Sequence, residues 1–383
     1  MPKKKSVLHI ITHLGVGGAQ DNTLYTLERL DRTKYKVSLA ANIIGEYEQR
    51  VMNIDGLDII HLPYLKRKIN IVNDIVSLFQ LYKIIKKNSY DIVHTHSTKP
   101  GVLGRIAAKL AKTPVIIHTV HGFAFHDFMP AFLHKIYILL EKCMNLLTDH
   151  LITVSTLNGK KMISLNLARS EDITNVYSGI DLEKFEQDSD GASIRDELGI
   201  DQDMRLVGFI GRFSHQKDPL CLLKAVKRTV KECLNVHFLL VGGGELKSEM
   251  VDFISQNDLG KIVTVWDFRQ DINNILNALD LFVISSIYEG LGRSLTEAMA
   301  KGIPVVATAV EGVPEIVQHN VTGRLVPPKN SKELSKMIIR AIENKPQSLY
   351  MAVKGKKWVY EKFSVDKMVK DIDNVYQRLI SLS

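Results

Sequence analysis

Short apolar runs rich in β-branched residues alternate with longer stretches of helical period along the whole chain. In the first half these runs are VLHIITH, KVSLAAN, LDIIHLP, DIVHTHS, PVIIHTV, HLITVS and ITNVYS. The second half carries RLVGFIGR, VHFLLVG, KIVTVW, LFVISS, PVVATAV and GRLVP. Such alternation predicts parallel sheets flanked by helices, an α/β class. Between the two series lies DLEKFEQDSDGASIRDELGIDQDM, acidic, polar and poor in strand formers, which reads as a linker. The expected organisation is a Rossmann-like domain over 1–182, a linker over 183–203 and a second Rossmann-like domain over 204–363. A C-terminal helix follows over 364–383. Two such domains facing a cleft would bind ligands at the carboxyl ends of their strands.

Composition narrows the class. A chain of 383 residues with 45% apolar content is long enough for two full cores. Cys143, Cys221 and Cys233 have no metal-type spacing and are odd in number, which favours a reducing, cytoplasmic setting without a disulfide framework. The basic start MPKKKSVLHIITH carries too short an apolar run for a signal peptide, and no stretch of about 18 apolar residues would span a bilayer. Net charge is +8, and its placement is uneven: residues 1–182 hold 23 Lys/Arg against 15 Asp/Glu, whereas the remainder holds 27 of each. A basic first half suits an anionic membrane or an acidic substrate, or is a solvated face. Nucleic acid is not an expected partner, because no reading module accompanies the charge.

Candidate chemistry concentrates after LDLFVISS, in YEGLGRSLTEAMAKGIPVVAT. Glu289 falls in a Gly-rich turn and Glu297, eight positions on, falls within the helix that the turn opens. The free amides at that helix start attract an anion, and glycines admit a ligand to the backbone. A carboxylate on either side would accept sugar hydroxyls; the plainer alternative is a solvated Glu plus a helix-start charge favoured by the dipole. Arg212 and Lys217, after LVGFIGR, can neutralise a diphosphate leaving group, with Asp218 as N-cap of the next helix and His215 as bystander. In HLGVGGAQ, a glycine turn after the first strand could cradle a dinucleotide. Gln20 in place of a third glycine, and a second strand ending AAN, argue against a dehydrogenase. His121 ends PVIIHTVHG at a glycine, where a side chain would face the ligand. His94, His96 and His118 raise a metal, yet buried hydrogen-bonded histidines explain them better. The Asp-Ser-Asp at 188–190 sits in the linker and reads as solvated, so neither a metal nor a cofactor is expected.

These motifs in this order resemble the family 4 retaining glycosyltransferases of GT-B fold. Glu289 and Glu297 meet the family's Glu-x7-Glu signature, and the likeness continues through GGAQ (17–20), HTVHG (118–122), Gly211-Arg212 with Lys217, and VGGGE (241–245). The resemblance implies a metal-independent transfer of a hexose or N-acetylhexosamine from a nucleotide-sugar, UDP-linked by preference, to a glycan or polyprenyl-diphosphate-linked acceptor. It implies that the last helix crosses back to the first domain. It places Glu297 on the ribose hydroxyls and Glu289 on the donor sugar beside the amides of Gly290, Leu291 and Gly292. Ser294 lies at the phosphate-binding helix start, and Arg212 and Lys217 on the diphosphate. Gly17 and Gly18 would approach the distal phosphate, His121 the hexose near its C6 hydroxyl, and Arg269 the nucleobase. Arg293-Ser294 and Asp267 depart from the usual residues and leave donor specificity open. No carboxylate stands as covalent nucleophile, so front-face substitution is expected, with a phosphate oxygen taking the acceptor proton. A GT-B epimerase or hydrolase, and a non-catalytic sugar-nucleotide binder, are the competing readings. The apolar segment 122–147 is expected either as a core-packed helix or, with Lys135 and Lys142 at its rim, as a peripheral contact to the inner face of the membrane.

Overall fold

A computed structural model describes residues 3–126, 128–187 and 189–382 and divides the chain into two compact units. The N-terminal unit comprises residues 1–179 together with 365–383, and the C-terminal unit residues 180–364. Each of the thirteen apolar runs forms a strand.

In the N-terminal unit, β1 (Lys5–His13), β2 (Tyr35–Asn42), β3 (Leu57–His61), β4 (Ile92–His96), β5 (Val115–Val120), β6 (His150–Thr153) and β7 (Ile173–Asn175) form one sheet. Its order is β3-β2-β1-β4-β5-β6-β7, and every pairing is parallel. The crossovers carry α1 (Gly18–Arg29), α2 (Glu48–Met52), α3 (Ile71–Asn88), α4 (Thr98–Ala111) and α5 (Ala131–Asn145), with α6 (Thr156–Ser164) between β6 and β7. Alternation along β1 divides the core: Val7 and Ile11 pack beneath α1, whereas Leu8 and Ile10 pack with α3 and α4. Asn70 and Ser155 cap α3 and α6 by accepting from the amides of Asn73 (3.0 Å) and Asn158 (3.1 Å).

The C-terminal unit begins with α7 (Leu182–Glu186) and α8 (Gly191–Leu198). Its sheet holds β8 (Arg205–Ile210), β9 (Val236–Val241), β10 (Val263–Trp266), β11 (Leu281–Ile284), β12 (Val305–Thr308) and β13 (Arg324–Val326), in the order β10-β9-β8-β11-β12-β13. Around it run α9 (Pro219–Thr229), α10 (Lys247–Gln256), α11 (Ile272–Ala278), α12 (Arg293–Ala300), α13 (Val313–Ile316), α14 (Ser331–Glu343) and α15 (Lys345–Lys362). The last helix, α16 (Val365–Leu382), belongs to the N-terminal unit. There Met368, Ile372 and Tyr376 enter the core shared with α1, while Asp373 accepts from Lys34 (2.9 Å) and from the Tyr35 hydroxyl (2.6 Å).

The structure corrects the expected linker over 183–203. This polar stretch forms α7 and α8, both inside the C-terminal unit. Its anchor is Arg195, nearly buried, whose guanidinium donates to Ala278 O (2.9 and 3.1 Å), Met204 O (2.9 Å) and Asp280 Oδ2 (2.7 Å). A buried guanidinium with its donors satisfied holds a helix in place without an apolar stripe. The unit boundary therefore falls at Gly179–Ile180 instead of at 182. Asp188 lies outside the described residues, and Asp190 caps α8 by accepting from Ser193 N at 3.0 Å.

Candidate functional site

In the C-terminal unit the strand order reverses between β8 and β11, the place where an open parallel sheet leaves a crevice at its carboxyl edge. Loops 211–218, 242–246 and 285–292 leave that edge. The first two are braced by backbone hydrogen bonds: Gly211 N to Val241 O (3.0 Å), Phe213 N to Gly243 O (2.9 Å) and Leu246 N to Phe213 O (3.0 Å). Gly242 and Gly244 make this closeness possible. Both lie at positive φ (151° and 152°), and a Cβ on either would stand 2.0 Å from Gly211 O or 2.4 Å from Phe213 O.

Lys217 and Glu289 meet as an ion pair, Lys217 Nζ donating to Glu289 Oε1. The same oxygen accepts from Ser286 Oγ at 3.0 Å, and Glu289 N donates to Glu311 Oε2 at 2.9 Å. Only 17% of the lysine side chain and 8% of the glutamate side chain remain exposed, so neither charge has bulk water to fall back on. Ser285 Oγ, within 2.9 Å of both Lys217 O and Asp218 O, ties the two loops together, as does Ile287 N on Gln216 O at 2.8 Å. Asp218 caps α9 by accepting from Cys221 N at 3.2 Å.

Arg212 is exposed, and among the described residues its guanidinium has no hydrogen bond or ion pair. Gly292 takes the N-cap of α12 at φ 101°, and among the described residues no side chain caps that helix. A helix start without a capping side chain is a place that can take an anion. Gly290 is half-buried and Leu291 buried in the same turn. One turn into α12, Glu297 accepts from Arg293 Nε at 2.7 Å and is 14% exposed. This edge thus offers two lysine and arginine cations and helix amides for a phosphate, with two carboxylates for hydroxyls. Arg269 stands apart from that cluster, beyond the end of β10 at the sheet's edge. Asp271 grips it with two bonds (2.9 and 2.7 Å), Glu197 takes a third (2.6 Å), and its guanidinium lies 4.4 Å over the Trp266 ring. These carboxylates raise its pKa further above the ordinary arginine value, Asp271 foremost. The sequence reading passed over Glu311, Ser286 and Gln216. Glu311 stands at φ 41° beside Gly312, a strained backbone of the kind that gathers at functional sites and that no local sequence pattern marks.

In the N-terminal unit, Gly17 occupies the N-cap of α1 without a capping side chain, and a Cβ on Gly18 would meet nothing within 4 Å. His121 follows β5, with its Nε2 3.1 Å from His96 Nδ1. Burial lowers its pKa to about 3, so the ring is neutral near pH 7. His94, His96 and His118 are buried and hydrogen-bonded, and burial holds each well below the ordinary histidine value. The sequence reading missed His9, which is register-matched to His94 across β1 and β4 and is pushed down to about 3 by burial, with Arg32 adding to the shift. One ring nitrogen from each of His9, His94 and His96 lies within 4.8 Å of the other two, a spacing compatible with a metal ion, but every ring nitrogen of the three has a hydrogen-bond partner already.

α5 is core-packed only in part. Glu141 is its buried residue, with one carboxylate oxygen 3.4 Å from the fully buried Arg105, while Phe132, Leu139 and Leu146 face outward. Tyr137 and Ile138 lie partly buried against the core of Val120, Phe123 and Phe125.

Comparison with known proteins bears on this geometry. The model of group 1 glycosyl transferases matches residues 190–358, and that of glycosyltransferase family 4 matches residues 16–184. Over 377 residues the chain is 29% identical to an Escherichia coli UDP-Gal:alpha-D-GlcNAc-diphosphoundecaprenol alpha-1,3-galactosyltransferase, covering 97% of each. It is 25% identical to the capsular polysaccharide biosynthesis glycosyltransferase CapM of Staphylococcus aureus, over 91% of this chain and 92% of that protein. Among solved structures, Anabaena HepE in complex with UDP and glucose shares the fold. Its TM-score is 0.83 at 21% identity, with 98% of this chain and 100% of that one covered.

The buried charge pair generates a stability prediction. Lys217→Met or Glu289→Gln alone should cost about 2–4 kcal/mol, because each leaves the other group without its partner. The double substitution should cost less than the sum by about 1–3 kcal/mol, read from urea unfolding of all four proteins. Additive losses would mean that the two side chains do not interact.

Proposed function

From the premise that this chain belongs to glycosyltransferase family 4 and is a glycosyltransferase, we propose that it moves a hexose or N-acetylhexosamine from a UDP-sugar to a lipid-linked glycan with retention of configuration. The observation that carries the reading is the Lys217–Glu289 pair at the β8/β11 switch point, beside the uncapped start of α12. HepE was solved with UDP and glucose, and the E. coli relative's name gives a UDP-sugar, a diphosphoundecaprenol-linked acceptor and an α-1,3 linkage.

In this reading an entering diphosphate competes with Glu289 for Lys217. Arg212 and the α12 amides through Ser294 take its remaining charge, which grows as the glycosidic bond breaks. Glu289, released in part, accepts from a sugar hydroxyl beside the amides of Gly290, Leu291 and Gly292, and Glu297 accepts from the ribose. Arg269 contributes its backbone to the base edge while its guanidinium stays with Asp271 and Glu197. In the N-terminal unit, the α1 start at Gly17 and Gly18 serves a phosphate oxygen and His121 a sugar hydroxyl. The acceptor hydroxyl attacks the anomeric carbon on the face the diphosphate leaves, and a phosphate oxygen takes its proton. No metal has a part in this route.

The acceptor side of the proposal rests on exposed apolar surface. Phe132, Leu139 and Leu146 on α5 are 73%, 62% and 80% exposed, with Lys135 and Lys142 also exposed on the same helix. Ile69, Ile71 and Val72 at the start of α3 follow the basic run 66–68 in the same way. Such surfaces favour a peripheral contact with anionic headgroups on the cytoplasmic face. Among the described residues no helix is long and apolar enough to cross a membrane.

Four measurements test the proposal. A UDP-hexose should raise the melting temperature, UDP should be released only when a polyprenyl-diphosphate-linked glycan is supplied, and an α-linked donor should give an α-linked product. Acceptor-independent release would indicate a hydrolase or epimerase, and a β-linked product would overturn retention. Wild-type protein should co-sediment with anionic liposomes at low salt and Phe132→Asp/Leu139→Asp should not. Absence of wild-type binding would remove the membrane contact.

A further inference from the structure

The buried histidines of the N-terminal unit form a continuous file. The Tyr376 hydroxyl on α16 lies 2.6 Å from His94 Nδ1 and 3.2 Å from His9 Nε2. His9 Nδ1 is 3.0 Å from His96 Nε2, and His96 Nδ1 is 3.1 Å from His121 Nε2. Burial keeps these rings neutral, and the phenol pKa is raised by the same cause, so each ring carries one N–H and the phenol keeps its proton. In a file of neutral imidazoles joined nitrogen to nitrogen, every N–H must point the same way, which leaves two arrangements.

Tyr376 selects between them, because it has one proton and two histidine partners. Hydroxyl donors make shorter bonds than ring N–H donors. At 3.2 Å the His9 contact is too long for a hydroxyl donor and within reach of a ring N–H, so His9 Nε2–H donates to the phenol oxygen and the phenol proton goes to His94 Nδ1. His94 then holds its own proton on Nε2, facing Thr119 Oγ1 at 2.6 Å. His9 Nδ1 accepts from His96 Nε2–H, and His96 Nδ1 accepts from His121 Nε2–H.

We propose that Tyr376, His9 and His96 are positioning residues that hold His121 as its Nε2–H tautomer, leaving Nδ1 bare to accept a hydrogen bond from a hydroxyl of the donor sugar. The sugar contact rests on the function proposed above; the tautomer does not. A neutral acceptor suits that place, since an imidazolium would oppose the positive charge that develops on the sugar ring as the diphosphate departs. The file also couples the docking of α16 to a side chain beyond the end of β5.

The test uses the full-length protein labelled with 15N-histidine and free of ligand. Long-range 1H–15N correlation spectra, with the His121 signals identified by their loss in His121→Gln, should show Nε2 protonated and Nδ1 bare. Tyr376→Phe should yield a mixture of the two tautomers and lower kcat about tenfold, the worth of roughly one hydrogen bond, with little change in KM for the nucleotide-sugar. A wild-type His121 carrying its proton on Nδ1 overturns the proposal, as does an unchanged tautomer in Tyr376→Phe or stoichiometric zinc retained by the purified protein. Should Tyr376→Phe fail to fold, the wild-type spectrum still decides. A protein that transfers no sugar yet shows the Nε2–H form would refute the proposed function and leave the file standing.

Discussion

A parallel strand buried on both faces can offer polar chemistry only where it ends, and that constraint organises this molecule. The interior of β9 is apolar apart from His237, and its chemistry starts in the loop after Val241. In the C-terminal unit the same rule puts Lys217 after β8 and Glu289 after β11. The order of the sheet, not the distance of 72 residues along the chain, makes them partners. Two glycines at positive φ then allow the β9 loop to lie against the β8 loop.

The N-terminal unit breaks the rule in its central strands, and the breach is informative. His9 and His94 lie inside their strands and are wholly buried, a placement that costs free energy unless every ring nitrogen is satisfied. Tyr376 from the last helix completes that satisfaction. The docking of α16 therefore rests on polar complementarity as well as on the apolar packing of Met368 and Ile372.

Strands were the most legible feature of the chain because their signal is local: thirteen apolar runs stand where thirteen strands form. Motif residues at strand ends were legible for a related reason, since a glycine or a charge at the end of an apolar run marks where the backbone leaves the core. Other features depend on contacts remote in sequence. His9 looks like a tolerated polar residue in VLHII until the register pairs it with His94. Segment 183–203 looks like a linker because its anchor, Arg195, is a charged residue whose partners lie over 80 positions away at Ala278 and Asp280. α5 carries an apolar composition that suggests burial, yet the residue it buries is Glu141, paired with Arg105, while Tyr137 and Ile138 are only partly covered. In each case a buried polar contact, absent from any local pattern, decided the outcome.

On the proposed function, the carboxyl edge of the C-terminal sheet, organised by Lys217 and Glu289, receives a diphosphate. A crystal structure of the protein grown with UDP tests this most directly. Phosphate oxygens should lie within hydrogen-bond reach of Lys217 Nζ and of the amides opening α12, with Glu289 turned from its lysine. A diphosphate bound elsewhere, with the Lys217–Glu289 pair undisturbed, would contradict it.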